Sequence, residues 1–148
     1  MKRRGFLVGG AALVSAGAAG YYWTRPPEAL VQMTPPQALN AVAGNALILV
    51  DIRRPDEWAA TGVAQGAVAV DMRREDFAQA VRAQIIARPD TPVAMICARG
   101  VRSRRVVAQM EAQGLRNIID IPEGMLGSRA GPGWLARGLP VTFEFQQG

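Results

Sequence analysis

Histidine is absent from the 148 residues. Imidazole general bases, Ser-His-Asp and Cys-His catalytic pairs and imidazole metal sites are thereby excluded. Cysteine occurs once, at Cys97, so the chain can form neither an internal disulfide nor a CxxC redox pair. Lysine also occurs once, as Lys2, and the rest of the 17 basic side chains are arginine. That bias, beside abundant alanine, reads as genome composition. Of the net charge of +5, residues 1–34 carry +3, which leaves +2 for the remainder and no basic stripe beyond residues 99–105. Nucleic-acid binding is therefore not expected, and no metal or other cofactor is expected.

What is present is a globular composition, 49% hydrophobic and 20% charged, long enough for one domain that buries its own core. The start reads as an address. Met1-Lys2-Arg3-Arg4 precedes an uncharged, Gly/Ala-rich run from Gly5 to Trp23. Arg3-Arg4-Gly5-Phe6-Leu7 resembles a twin-arginine export signal, with Ala16-Gly17-Ala18 as a small-residue cleavage site. An uncleaved membrane anchor competes with this: residues 5–23 as a helix would span roughly 28 Å, with Tyr21-Tyr22-Trp23 at the far interface. Either way the domain is expected outside the cytoplasm, in the periplasm. The organisation expected is signal or anchor over 1–24, a Pro-rich linker over 25–34, and one domain over 35–148.

Along that domain, Ala29–Met33 reads as a short first strand and Pro36–Val42 as a helix with Thr34 at its N-cap. Ala46–Val50, Ala67–Val70, Val93–Ile96 and Asn117–Ile121 read as apolar strands. Between them Pro55–Ala60 (closed by Gly62), Arg74–Ala87 and Ser103–Gln113 (closed by Gly114) read as helices. Apolar strands alternating with helices imply an α/β fold, a parallel sheet with helices on both faces. Ligands of such sheets sit beyond the strand C-termini, where Asp51, Asp71, Cys97 and Glu123 fall.

Cys97 opens the run Cys97-Ala98-Arg99-Gly100-Val101-Arg102-Ser103 directly after an apolar strand. Loop amides and a following helix N-terminus concentrate positive potential on the sulfur and favour the thiolate, the reactive form. The run therefore reads as an anion cradle with a nucleophile at its base. Arg104 and Arg105 are expected to face solvent, and Trp58 and Trp134 to pack in the core or at its rim.

Four pieces in register resemble the single-domain rhodanese (sulfurtransferase) family over about residues 30–142. These are Leu49-Val50-Asp51-Ile52-Arg53 with Pro55-x-Glu57-Trp58; Gly62-Val63-Ala64-Gln65-Gly66-Ala67; Cys97-x-x-Gly100-x-Arg102-Ser103; and Glu123-Gly124-Met125 followed by Trp134 and Gly138-Leu139-Pro140-Val141. The chain departs from the family pattern at Val63 and Gln65, keeps only Gly124 of a usual Gly-Gly, and is longer than typical over Leu126–Gly133. That extension is expected to reshape the pocket rim and acceptor choice.

The resemblance implies that Cys97 takes the outer sulfur of a small anionic donor such as thiosulfate as a persulfide. It then passes that sulfur to a thiol or cyanide acceptor, or to a protein acceptor. The residues Ala98, Arg99, Gly100, Val101, Arg102 and Ser103 are expected to bind substrate. Within that set Arg102 holds the sulfonate-like end of the donor and Arg99 steers anions at the rim. Asp51 and Arg53 are expected to brace the loop. Two rival readings stay open: a sulfur-carrier or protein-binding module without turnover, and a Cys-based phosphatase or arsenate reductase. The latter need Cys-x5-Arg, which would put arginine at the position of Ser103.

Overall fold

The computed structural model describes residues 30–148; the apolar run 5–23 and the Arg3-Arg4 pair lie outside the described residues. The order of elements is α1 (Pro35–Ala43), β1 (Ile48–Asp51), α2 (Pro55–Thr61), β2 (Val63–Ala64), β3 (Val68–Ala69), α3 (Phe77–Ala87), β4 (Val93–Ile96), α4 (Val101–Ala112), β5 (Ile118–Asp120), α5 (Gly133–Ala136) and β6 (Val141–Thr142). Four strands form a parallel sheet in the order β3-β1-β4-β5, and β2 pairs antiparallel with β6 apart from it.

Strands buried on both faces need apolar residues of both parities, and the sequence supplies them. Ile48, Val50, Val93, Met95 and Ile118 meet Val81 of α3 and Val106, Val107 and Met110 of α4. Leu47, Leu49, Ala94, Ile96 and Ile119 turn to the other face, against Ala38 of α1 and Trp134 of α5. Trp134 is wholly buried and its ring N–H donates to the Pro140 carbonyl at 2.9 Å. Trp58 packs edge-on against Phe145 at 5.7 Å between ring centroids. Both indoles therefore belong to the core. Among the described residues no helix is long and apolar enough to cross a membrane.

Several boundaries differ from the expected ones for local reasons. Residues 30–33 form no strand but a single bridge, Gln32 to Asp120. The helix expected from Arg74 starts at Phe77, because Asp71 and Asp76 hold local bonds to Arg73 and Arg74 that compete with a helical turn. The helix expected from Ser103 starts earlier, at Val101, with Gly100 as its N-cap at φ +76°. That left-handed conformation favours glycine. A side chain there would also collide with the Pro122 carbonyl. The tight turn puts Val101 and Arg102 in the first helical turn rather than in the loop.

Candidate active site

Cys97 lies one residue past the end of β4 and is 1% exposed. Its Sγ accepts the Ser103 backbone N–H at 3.4 Å, and the thiol lies 3.5 Å from the Ser103 hydroxyl. Ser103, fully buried, also donates to the Gly100 carbonyl at 3.3 Å. The next segment clamps the loop from behind: Met125 and Leu126 donate to the carbonyls of Cys97 and Ala98, each at 2.8 Å. Gly124 permits this approach, since a Cβ there would stand 2.5 Å from the Ala98 oxygen.

The backbone N–H groups of Ala98, Arg99, Gly100, Val101 and Arg102 donate to no acceptor among the described residues. First-turn N–H groups lack intrahelical partners by geometry, and here the preceding loop continues the series. The result is a run of free donors beside a sulfur already holding one.

Arg102 and Arg99 diverge. Arg102 lines a cleft of about 450 Å³ with Arg54, Glu57, Met72 and Arg73. Arg99 lines a different cleft, with Arg104, Arg105 and Arg129. Arg102, expected at the sulfonate end of the donor, and Arg99, expected at the rim, thus line separate clefts. One sits in the helix and the other in the loop, so their side chains leave on different sides.

Glu57, to which the sequence assigned no role, is the neighbour that matters most to Arg102. The two form a bidentate pair, Nη1 to Oε2 at 2.7 Å and Nη2 to Oε1 at 2.6 Å. Glu57 also accepts the Arg54 backbone N–H at 3.0 Å. That second bond was legible, because a glutamate three residues after a helix N-cap is a capping signal; the pairing with Arg102 spans 45 positions and was not. The Arg102 bonds, then the Arg54 N–H, hold the Glu57 pKa at about 2, well below its ordinary 4.5. A depressed folded pKa gives stability that is present above pH 4.5 and lost as pH falls toward about 2. Glu57→Gln is expected to cost about 2 kcal/mol near neutrality. The gap between parent and variant should close on acidification, as followed by circular dichroism; a gap constant with pH would contradict the pairing.

Asp51 and Arg53 are both buried and form a close pair, Nη2 to Oδ2 at 2.7 Å and Nε to both carboxylate oxygens at 3.0 Å. The remaining guanidinium donors go to Thr61 Oγ1 at 2.8 Å, the Gly62 carbonyl at 2.7 Å and the Glu57 carbonyl at 3.4 Å. None goes to residues 98–103. The expected brace of the Cys97 loop is thus indirect: the pair fixes α2, and α2 presents Glu57 to Arg102.

Glu123 is buried too. Arg137 binds both its oxygens at 2.8 Å and lowers its pKa, and the Gly133 N–H adds a bond at 3.0 Å. It anchors the 126–133 extension, which closes as a tight Ser128–Gly131 pairing with Ser128 Oγ on the Pro122 carbonyl at 2.7 Å. Asp120 is the outlier among acids: fully buried, with neither carboxylate oxygen hydrogen-bonded. Burial pushes its pKa up, with Ser103 and Arg104 pulling the other way.

On the sulfur-transfer chemistry that the resemblance implies, Arg102→Ala is expected to raise the thiosulfate KM about tenfold, the loss of one charge-assisted contact, with less effect on a small thiol acceptor. Glu57→Gln/Arg102→Ala separates that lost contact from the repulsion of an unmasked Glu57 carboxylate. An unchanged donor KM in both would remove Arg102 from the donor site.

No curated protein matches the sequence. Among solved structures, a rhodanese-related protein from Thermoplasma volcanium is 24% identical, covering 77% of this chain and 99% of that one at a TM-score of 0.56. A Rhodopseudomonas palustris protein of unknown function, described as a possible tyrosine phosphatase, is 20% identical over 96% of this chain and 100% of its own, TM-score 0.55. EanB, in a complex with ergothioneine covalently linked with a persulfide cysteine, is 16% identical and matches 77% of this chain but 28% of its own, TM-score 0.59. At these identities the likenesses establish the fold: α/β, rhodanese-like, a parallel four-stranded sheet with flanking helices. The rhodanese-like domain model matches residues 34–129, more than half of the chain, and the protein therefore belongs to the rhodanese-like domain family, with its one cysteine buried at the base of the loop.

Proposed function

We propose that the chain is a sulfurtransferase that carries a sulfane sulfur as a persulfide on Cys97, taken from a thiosulfate-like donor and given to a thiol or cyanide acceptor. One observation carries this reading. The unsatisfied amides of Ala98 to Arg102 follow directly on a cysteine whose sulfur accepts only the Ser103 N–H and whose thiol donates to the Ser103 hydroxyl oxygen. Free amides at a helix N-terminus favour negative charge, so they suit an anionic outer sulfur.

In the first half-reaction the Cys97 thiolate attacks the outer sulfur of thiosulfate. A new S–S bond forms, the donor S–S bond breaks, and sulfite leaves with the bonding pair. In the second, an acceptor thiolate or cyanide takes that sulfur and Cys97 departs as thiolate. Arg102 meets the sulfonate end, held in place by Glu57, while Arg54 and Arg73 add positive charge to the same cleft. Ala98, Arg99 and Gly100 contribute from the loop, and Val101 and Ser103 from the first turn of α4. EanB, part of which shares this fold, holds a persulfide cysteine in its complex, which supports the chemistry by analogy. The phosphatase reading needs arginine where Ser103 stands, and Ser103 is buried against the thiol instead.

Incubation with thiosulfate followed by intact-mass measurement tests this. An adduct of about 32 Da on Cys97 is expected for the covalent intermediate, with thiocyanate formed on adding cyanide. The adduct without turnover would indicate a carrier, and phosphate-ester hydrolysis without adduct a phosphatase. Export or anchoring by residues 1–24 is part of the same proposal. Wholly cytoplasmic protein, indifferent to loss of Arg3 and Arg4, would refute it.

A further inference from the structure

Of the arginines among the described residues, Arg82, Arg88 and Arg116 stand apart from one another without an ion pair, and the other ten fall into two groups. Arg53, Arg54, Arg73, Arg74, Arg102 and Arg137 each pair with a carboxylate. Arg104, Arg105 and Arg129 make no ion pair or hydrogen bond among the described residues, and Arg99 reaches only the Gly127 carbonyl at 3.4 Å. These four line a single cleft of about 590 Å³, which they share with Gly100 and Val101 of the Cys97 loop. Asp120, the acid at that cleft, is buried with both oxygens lacking a hydrogen-bond partner and forms no ion pair with any of the four.

We infer that this cleft docks an acidic segment of a protein that carries the acceptor thiol; the inference rests on the sulfur-transfer reading and names the acceptor's class. Guanidiniums that share one cleft without ion-pair partners raise the local potential and attract carboxylates. The cleft is also too extended for one small oxyanion. It runs along α4 from Val101 to Ala108, about 10 Å of helix, and Arg129 of the 126–133 extension also lines it. An exposed apolar side chain, Val101, also lines it. Arginine beside exposed apolar residues is the composition of a protein interface. Single-stranded nucleic acid is disfavoured because its sites use aromatic stacking platforms, and no aromatic residue lines the cleft.

The 126–133 extension supplies Arg129, and the Glu123–Arg137 anchor fixes the base of that extension. Docking there places the partner against the outer side of the loop that holds Cys97. The partner thiolate then attacks the outer sulfur of the Cys97 persulfide. One S–S bond forms as another breaks, with no net oxidation, and Cys97 leaves as thiolate.

The test uses synthetic peptides with one cysteine flanked by glutamates or by lysines, their Cys→Ser versions for binding, and a single-stranded oligonucleotide. Fluorescence anisotropy should show the glutamate peptide binding at least about tenfold more tightly than the lysine peptide, with salt weakening it. Arg104→Glu/Arg105→Glu/Arg129→Glu should abolish that preference and lower the ratio of glutamate-peptide to cyanide transfer rates by about tenfold or more. The milder Arg104→Ala/Arg129→Ala, with a thermal melt, guards against misfolding. Equal binding of the two peptides, an oligonucleotide binding as tightly, or an unaltered rate ratio in both variants would overturn the docking site. Tight glutamate-peptide binding with no adduct on Cys97 from any donor would instead overturn the sulfur-transfer reading and leave the docking measured.

Discussion

Arg53→Ala is expected to destabilise the domain by about 3–5 kcal/mol, the cost of leaving a buried charge without its partner. Asp51 is fully buried, and Arg53, itself 1% exposed, bonds both of its oxygens. With the guanidinium gone, Asp51 keeps only the Arg53 backbone N–H at 3.1 Å. The same change frees the Thr61 hydroxyl and the Gly62 carbonyl, which the guanidinium ties at 2.8 and 2.7 Å. Urea unfolding should show a lower midpoint with an unchanged slope. The folded fraction should also show a raised thiosulfate KM, because α2 then presents Glu57 loosely to Arg102. Asp51→Leu/Arg53→Met should recover most of the stability, since an apolar pair of similar volume commonly replaces a buried ion pair at little cost. A loss below about 1 kcal/mol in Arg53→Ala would place the pair in the class of exposed ion pairs and remove it as the brace of α2.

Most of the sheet was legible in the sequence because its strands are apolar on both faces. Ile48–Val50, Val93–Ile96 and Ile118–Ile119 could not be solvated in any fold of this size. The cysteine loop was legible for another reason: Gly100 is the one residue type suited to its left-handed turn and its contact with Pro122. Less accessible were features set by pairs distant in sequence. The β2–β6 pairing joins Val63 to Thr142, and two-residue strands carry no periodicity. The Glu57–Arg102 clasp joins residues 45 positions apart, and nothing local to either names the other. Even the Asp51–Arg53 pair, adjacent and noticed, gave no hint that its donors point to residues 57–62 instead of to the loop. The separation of Arg99 from Arg102 follows from where α4 begins, two residues before the expected start.

Cys97→Ser is expected to abolish the adduct of about 32 Da and to reduce thiosulfate-to-cyanide transfer at least about a thousandfold, because a hydroxyl cannot serve as the sulfur-bearing nucleophile. Stability should change little. The side chain keeps its shape, and its neighbours are the Ser103 N–H and hydroxyl, which an oxygen can also engage. That separation of activity from stability is what distinguishes a working nucleophile from a cysteine that merely fills space in the cluster with Val106 and Met95. The 1% exposure of Cys97 adds a second signature in the parent protein: iodoacetamide should modify it faster than a bulky aromatic disulfide reagent, since only small reagents pass the rim. Retention of turnover or of the adduct in Cys97→Ser would move the chemistry off the only thiol in the chain. With no second cysteine and no histidine available to take over, the proposed persulfide would then have nowhere to form.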